Sequence, residues 1–281
     1  MENVYYGLNE VHAVQVFMLK KLIAVCGDYN LSYFLAFGSL LGAVREHKII
    51  AWDDSIDVVM PYNDYRRLIA LPRETWGADL FLQTNDTDPE YPNCYAKLRD
   101  SRTTFINADY ADLDIHHGIY INIMPLISLA DDARGRHKQI RNAKRYKALI
   151  GGFLPATDKL LGIFLSLFCL SERCRTRMCK KAKEKLLRYE DKDTKDCIAL
   201  AGSVSLTLPL PKAWFASSNS MEFEGMMVNV PVGWHEWLTL RYGDYMVAPI
   251  SELQSDKISR IVTLSTDKPY TEYKGITYCI R

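Results

Sequence analysis

Apolar residues at Val11, Val14, Val16, Phe17, Leu19, Leu22 and Ile23 recur at mostly helical spacing, which predicts a helix over residues 8–27 with Gly27 as its stop. The period then shortens. Tyr33 to Phe37 reads as a strand entering a Gly38-Ser39 turn, and residues 56–60 read as a second strand. Tyr62-Asn63-Asp64-Tyr65 opens a helix through Leu71, with Asn63 or Asp64 as its cap. Residues 79–83 and 94–99 read as further strands, joined by the Asp- and Pro-rich loop Asn85 to Pro92.

Residues 129–200 have a different character, helix-rich with clustered Arg and Lys. Here an eleven-residue apolar run, Leu160 to Leu170, precedes a stretch with eight Arg or Lys against two Glu. This segment reads as a helical insertion within one unit spanning residues 1–281. Trp214 to Val230 predicts a small hairpin. Trp234 to Arg241 predicts a helix stopped at Gly243. The expected fold is α/β, a small mixed sheet flanked by helices.

A chain of 281 residues can bury a sizeable core. Its net charge of +1 gives no overall pull toward nucleic acid. The seven cysteines are scattered, without a C-x-x-C pair, and the trio Cys169, Cys174 and Cys179 has neither zinc spacing nor a nearby His. They read as free thiols of a cytoplasmic protein. The N-terminal residues lack a basic region followed by an apolar core, so no signal peptide is expected. No uncharged apolar run reaches the roughly 18–20 residues that span a bilayer.

The candidate chemistry lies in residues 37–61. Asp53, Asp54 and Asp57 fall within five residues at the edge of the apolar run Val58-Val59-Met60. Carboxylates at such an edge call for a cation, and oxygen ligands suit Mg²⁺ or Mn²⁺. The small-residue turn Gly38-Ser39 beside them offers backbone N–H groups to a phosphate. These parts together suggest metal-assisted transfer of a phosphorylated group. Arg45 and Lys48 lie between the turn and the acids. Lys97 and Arg99 share a strand face with Tyr95, and a face of that composition suits a diphosphate better than a core. His116 and His117 could supply a general base, although a loop-exposed pair is the simpler reading.

Gly38-Ser39-Leu40-Leu41-Gly42-Ala43-Val44-Arg45 followed by Trp52-Asp53-Asp54-Ser55-Ile56-Asp57 resembles the signature of the LicD family of nucleotidyltransferase-fold proteins. Tyr95 to Ser101, Gly118 to Leu126, Phe223-Glu224-Gly225 and Tyr242-Gly243-Asp244-Tyr245-Met246 resemble later blocks of that family, in the same order. The resemblance spans roughly residues 30–250. It implies a phosphocholine-type transferase with CDP-choline as donor, a sugar hydroxyl of a lipid-linked glycan such as lipopolysaccharide or teichoic acid as acceptor, and Mg²⁺ as cofactor. Carried onto this chain, it places Gly38, Ser39, Arg45, Lys97 and Arg99 on phosphate, Asp57, Asp53, Ser55 and Asn122 at the metal, Asp57, Asp54 and Asp53 in catalysis, and Asp244 as a further candidate.

Two positions depart from the family pattern. Ser55 and Asn122 stand where the family carries Asp. In an extended strand residues 55 and 57 share a face about 6.6 Å apart, residue 53 lies about 13 Å from residue 57, and Asp54 points the other way. Asp57 is then the one standard ligand position still acidic. An active, divergent transferase and a ligand-binding module that has lost turnover both follow from this pattern. Nucleotidyl transfer to RNA or an antibiotic shares the Gly-Ser and Asp features but not the ordered blocks. Residues 160–188, apolar and then basic, suggest peripheral contact with a membrane surface.

Overall fold

The computed structural model describes residues 2–151, 172–201, 205–247 and 260–280. In chain order the helices are α1 (Glu2–Asp28), α2 (Phe37–Arg45), α3 (Tyr62–Ile69), α4 (Ala133–Ile150), α5 (Glu172–Leu186) and α6 (Trp234–Tyr242). The strands are β1 (Phe34–Leu35), β2 (Ile56–Pro61), β3 (Leu80–Gln83), β4 (Ala96–Asp100), β5 (Thr104–Asn107), β6 (Tyr120–Ser128), β7 (Asp196–Ala199), β8 (Leu210–Pro211), β9 (Ser218–Phe223), β10 (Met226–Pro231) and β11 (Ile261–Ser265).

A mixed seven-stranded sheet runs β1-β2-β6-β4-β3, with β7 added beside β6 and β8 beside β7. The middle strand, β6, is buried at all nine residues, as a strand covered on both faces must be. It pairs parallel with β2 along one edge. Along its other edge it pairs antiparallel with β4 at residues 120–123 and with β7 at 126–128. Pro125 falls at this handover. A proline has no N–H for a ladder, and here its carbonyl accepts from Leu200 N–H at 2.9 Å.

Helices close both faces. Leu19 and Leu22 of α1, Leu40 of α2 and Trp237 of α6 join Ile56, Val58, Leu98 and Ile121 in the larger apolar cluster. Ala143 and Tyr146 of α4 with Ala182 and Leu186 of α5 pack on Ile127, Leu129, Ile198 and Leu200 in a smaller one.

The predicted α/β class and most elements match these boundaries, and the differences have local causes. Gly38-Ser39 is not a turn. It forms the first turn of α2, so β1 ends at Leu35. Neither Asn63 nor Asp64 caps α3, which follows Pro61 directly and ends at Ile69. The Asp64 carboxylate instead accepts from Ser32 N–H and from Arg67. The segment 129–200 is not wholly helical, since its last residues form β7 within the sheet. The apolar run Leu160 to Leu170 lies outside the described residues. No helix among the described residues is long and apolar enough to cross a membrane. The six described cysteines are free, and burial pushes Cys26, Cys94 and Cys197 each up to about 12.

The hairpin β9–β10 turns through Glu224 and Gly225, both at positive φ (51° and 71°), the backbone a two-residue primed turn requires. Glu224 reaches back across the chain. Its N–H donates to the His47 carbonyl at 2.9 Å, and its carboxylate accepts from Ile49 N–H at 2.8 Å. The loop leading to the acidic cluster is thereby tied to a hairpin 175 residues further along.

Gln139 links the α4–α5 layer to the sheet. Its amide oxygen accepts from Ala130 N–H, and its nitrogen donates to the carbonyls of Ser128 (2.6 Å) and Leu186 (2.7 Å). The side chain is buried, so Gln139→Leu would leave three backbone groups without partners. The expected loss is about 2–4 kcal/mol of stability, read from the urea midpoint. An unchanged midpoint would show that those groups find other partners.

Candidate active site

Parallel register between β2 and β6 sets Asp57 opposite Asn122. On the far side of β6, antiparallel register sets Lys97 opposite Asn122, and Gln83 stands opposite Lys97. A row of four polar side chains therefore crosses the sheet. Asn122 Nδ2 donates to Asp57 Oδ1 at 2.7 Å and to Ser55 Oγ at 3.2 Å, and Ser55 Oγ–H donates to Asp57 Oδ1 at 3.4 Å. Ser39 completes the group by accepting Asp57 N–H on its hydroxyl at 2.8 Å.

The approach of α2 to this cluster explains Gly38. A Cβ there would collide with the Asp53 carboxylate, whose Cγ lies 3.2 Å from the Cβ position. Phe37 enters α2 at φ 50°, a left-handed conformation unusual for a bulky side chain. Strain at the mouth of a cluster of polar groups is typical of functional sites.

Alternation does not extend to Asp53 and Asp54, because β2 begins only at Ile56. The chain bends there and is held by α1. His12 Nε2 donates to the Asp53 carbonyl at 2.7 Å, and Gln15 Nε2 donates to the Asp54 carbonyl at 2.7 Å and to Tyr120 O at 3.1 Å. Asp53 is buried, its Oδ1 accepting Asp54 N–H. Asp54 is half-buried.

The Tyr95, Lys97 and Arg99 face is not the partly exposed one its composition implies. Lys97 and Arg99 are both buried. Arg99 donates from Nε to Gln83 Oε1 at 2.5 Å and from Nη1 to Gly118 O at 2.6 Å, with its guanidinium over the Tyr120 ring. It braces the floor of the site. Lys97 Nζ sits 3.3 Å from the Tyr120 ring centroid. Burial, reinforced by Arg99, pushes this ammonium well below its usual range, while Asp54 and Asp57 pull the other way.

Other predicted residues lie apart from this cluster. Arg45 is not in a loop but ends α2, about 10 Å along the helix from Ser39, and pairs with Glu46 at 2.6 Å. Asp244 is exposed in the turn after α6, and among the described residues no hydrogen bond joins it to the cluster. His116 and His117 are not loop-exposed. Both are buried, His116 stacked on Phe81 and His117 against Tyr278.

Three contributors escaped sequence reasoning. His12 and Gln15 lie among the buried apolar positions of α1 (Leu8, Val11, Met18, Leu19, Leu22), and polar residues inside an apolar stripe were the available signal. Arg241 carried no such signal. From α6 its guanidinium stacks 4.6 Å over the Phe37 ring, beside Tyr242. Its Nε and Nη1 have no hydrogen-bond acceptor among the described residues. With Trp237 also packed edge-on against Phe37, this end of α6 lies at the start of α2.

No group of three or more His, Cys, Asp or Glu among the described residues is placed to hold a metal. The donor set fits a weaker site, completed by substrate. Asn122 turns its Nδ2 to Asp57 and Ser55, while its Oδ1 is buried without a partner, and Ser55 Oγ lies 3.4 Å from Asp57 Oδ1. One carboxylate with neutral oxygens is a plausible protein share for Mg²⁺, which commonly takes the remainder from water and substrate phosphates.

A mixed α/β sheet with small residues opening a helix onto an acidic strand belongs to the nucleotidyltransferase class, and the LicD/FKTN/FKRP nucleotidyltransferase domain matches residues 30–138. The lipopolysaccharide cholinephosphotransferase LicD of Haemophilus influenzae is 30% identical over 261 residues, covering 88% of this chain and 94% of the relative. The chain belongs to the LicD family and is an enzyme of the transferase type.

The buried histidines set a pH dependence. His116 Nδ1 accepts Gly118 N–H at 3.1 Å, so its Nε2–H donates to Ser101 Oγ. Burial first, then the Arg99 charge, lowers His116 to about 2 and His117 to about 4. In the unfolded chain both take a proton near 6.5. Proton uptake on unfolding thus begins as pH falls through 6.5, and this contribution to stability is complete only above that value. The urea midpoint should fall between pH 7 and pH 4, and less steeply for His117→Gln. Equal slopes for the two proteins would remove His117 as a cause.

Proposed function

We propose that this enzyme transfers phosphocholine, or a closely similar phospho-alcohol, from CDP-choline to a sugar hydroxyl of a lipid-linked glycan. The reading rests on the cluster of Asp57, Ser55 and Asn122 oxygens under the Gly38-Ser39 helix start, in a chain related along most of its length to a lipopolysaccharide cholinephosphotransferase. The acceptor oxygen bonds to the phosphorus of the phospho-alcohol as the bond from that phosphorus to CMP breaks. The hydroxyl proton passes to a carboxylate. Asp54, half-buried, is better placed to take it than Asp53, which is buried against Gly38.

Mg²⁺ or Mn²⁺ bound with the donor would offset the charge of the diphosphate and of the leaving CMP. Asp57 would hold it, with Ser55 and Asn122 as neutral ligands and Asp53 close by. Asn122 would then turn its amide so that Oδ1 faces the cation. The N–H of Gly38, the Ser39 hydroxyl and the cations Lys97 and Arg241 would receive phosphate oxygens. The acceptor places the enzyme at the inner face of a membrane.

Release of CMP from CDP-choline, with and without glycan acceptor, tests the reaction. Asp57→Asn should lower it about 100-fold or more and weaken metal-dependent donor binding, and Arg241→Gln should weaken donor binding with less effect on metal dependence. Absence of CMP release and of donor binding in the natural protein would reject the proposal. Unchanged metal dependence in Asp57→Asn would reject the metal assignment.

Restoring carboxylates gives an independent reading of the metal. Ser55→Asp with Asn122→Asp sets three carboxylates where Asn122 Nδ2 now lies 2.7 Å from Asp57 Oδ1. Like charges so close destabilise the metal-free fold, and a divalent ion should relieve them. The double variant should melt lower than the natural protein in EDTA and gain more from Mg²⁺. An equal response to Mg²⁺ in both proteins would put the ion elsewhere.

A further inference from the structure

Positive charge is concentrated on one layer of the molecule. α4 and α5 together carry fourteen Lys or Arg against two Glu, a net of +12 in a chain whose total is +1. The rest of the chain is therefore net acidic, and the overall charge conceals the separation. Arg134, Lys138, Arg141, Lys144 and Arg145 of α4 and Arg175, Arg177, Lys180, Lys181 and Lys185 of α5 are exposed. None of these ten has an ion-pair partner among the described residues; Arg136, half-buried, pairs with Asp196 at 2.7 Å.

Helix geometry gathers the charges. On α4, Arg134, Lys138, Arg141 and Arg145 follow the four-three-four spacing of one face. Gln139, Ala143 and Tyr146 occupy the opposite, buried face. On α5, Arg177, Lys181 and Arg188 just beyond its end lie opposite the buried Ala182 and Leu186. Both helices turn their buried faces to the same apolar cluster on the sheet. Both basic faces therefore point away from it, and away from the row of polar residues on β2, β6 and β4.

We propose that the outward face of α4 and α5 is a docking surface for an anionic lipid bilayer. Charge complementarity is the first argument, because each basic group near an anionic leaflet contributes about 1 kcal/mol. The second is sequence context. The residues joining the two helices include the apolar run Leu160 to Leu170, and apolar beside basic is the composition of bilayer-surface segments. Nucleic acid is the competing polyanion. The exposed positions of these helices carry no Phe, Tyr or Trp on which bases could stack. The sequence alone points to residues 160–188; the structure adds α4, which contributes half of the charge.

Co-sedimentation tests this with vesicles of phosphatidylcholine alone and of three parts phosphatidylcholine to one part phosphatidylglycerol. The natural protein should bind the mixed vesicles at low salt, be released by added salt, and ignore the neutral ones. Lys138, Arg141 and Arg145→Gln together should weaken binding at least about tenfold. Lys20, Arg66 and Lys268→Gln, which remove the same charge from exposed positions elsewhere, should weaken it much less. All six side chains are exposed, so thermal melting should confirm that both triple variants fold. Equal loss in the two triples would reduce the effect to net charge and overturn the proposal. So would failure to bind the mixed vesicles at low salt, or tighter binding to single- or double-stranded DNA than to the vesicles. CMP release plays no part in these readouts, so this surface stands or falls apart from the proposed reaction.

Discussion

The pairing of β2 with β6 in parallel register brings Asp57 to Asn122, and the other features of the candidate site are arranged around that pair. A shift of one residue would turn Asp57 into the apolar layer and expose Val58, so the hydrophobic pattern of both strands enforces the register. The same register carries Lys97 into the row through β4. α2 is coupled to it by the Ser39 hydroxyl on Asp57 N–H and by the Ala36 N–H donating to the Asp57 carbonyl at 2.9 Å. Moving Asp57 would disturb the helix start, the sheet and the floor of the site together.

The polar row lies in a buried setting, where polar groups need partners. Arg99 has them, in Gln83, Gly118 and the face of Tyr120, and so reads as structural. Lys97 relies on the same ring and on nearby carboxylates. Asn122 Oδ1 and two nitrogens of Arg241 remain unmatched, one oxygen and one cation in the surroundings of Asp57. An acceptor without a partner on a residue hydrogen-bonded to a carboxylate, and a guanidinium with two free donors near a helix start, are complementary to a cation and a phosphate.

Distant segments hold this arrangement. The Glu224 turn secures the loop before the acids, α1 clasps the backbone of Asp53 and Asp54, and α6 stacks Arg241 and Trp237 against Phe37. The family match covers residues 30–138, and these supports lie outside it.

By itself the sequence determined the α/β class, the strands around residues 56–60 and 94–99, the hairpin near Glu224 and the family, because these depend on local periodicity and on ordered short motifs. It also singled out Asp57, Ser55, Asn122 and Ser39, which the structure gathers into one hydrogen-bonded cluster. What only the tertiary structure decided depends on contacts between segments far apart in sequence. The Gly38-Ser39 segment is a helix start because Asp57 and Asp53 lie against it. The backbone of Asp53 and Asp54 is set by α1, at a bend that strand alternation does not describe. Burial of Lys97 and Arg99 is set by the layers above the sheet, which strand composition does not report. Arg241 enters because α6 returns to α2 some two hundred residues later, and no period in the sequence encodes that approach.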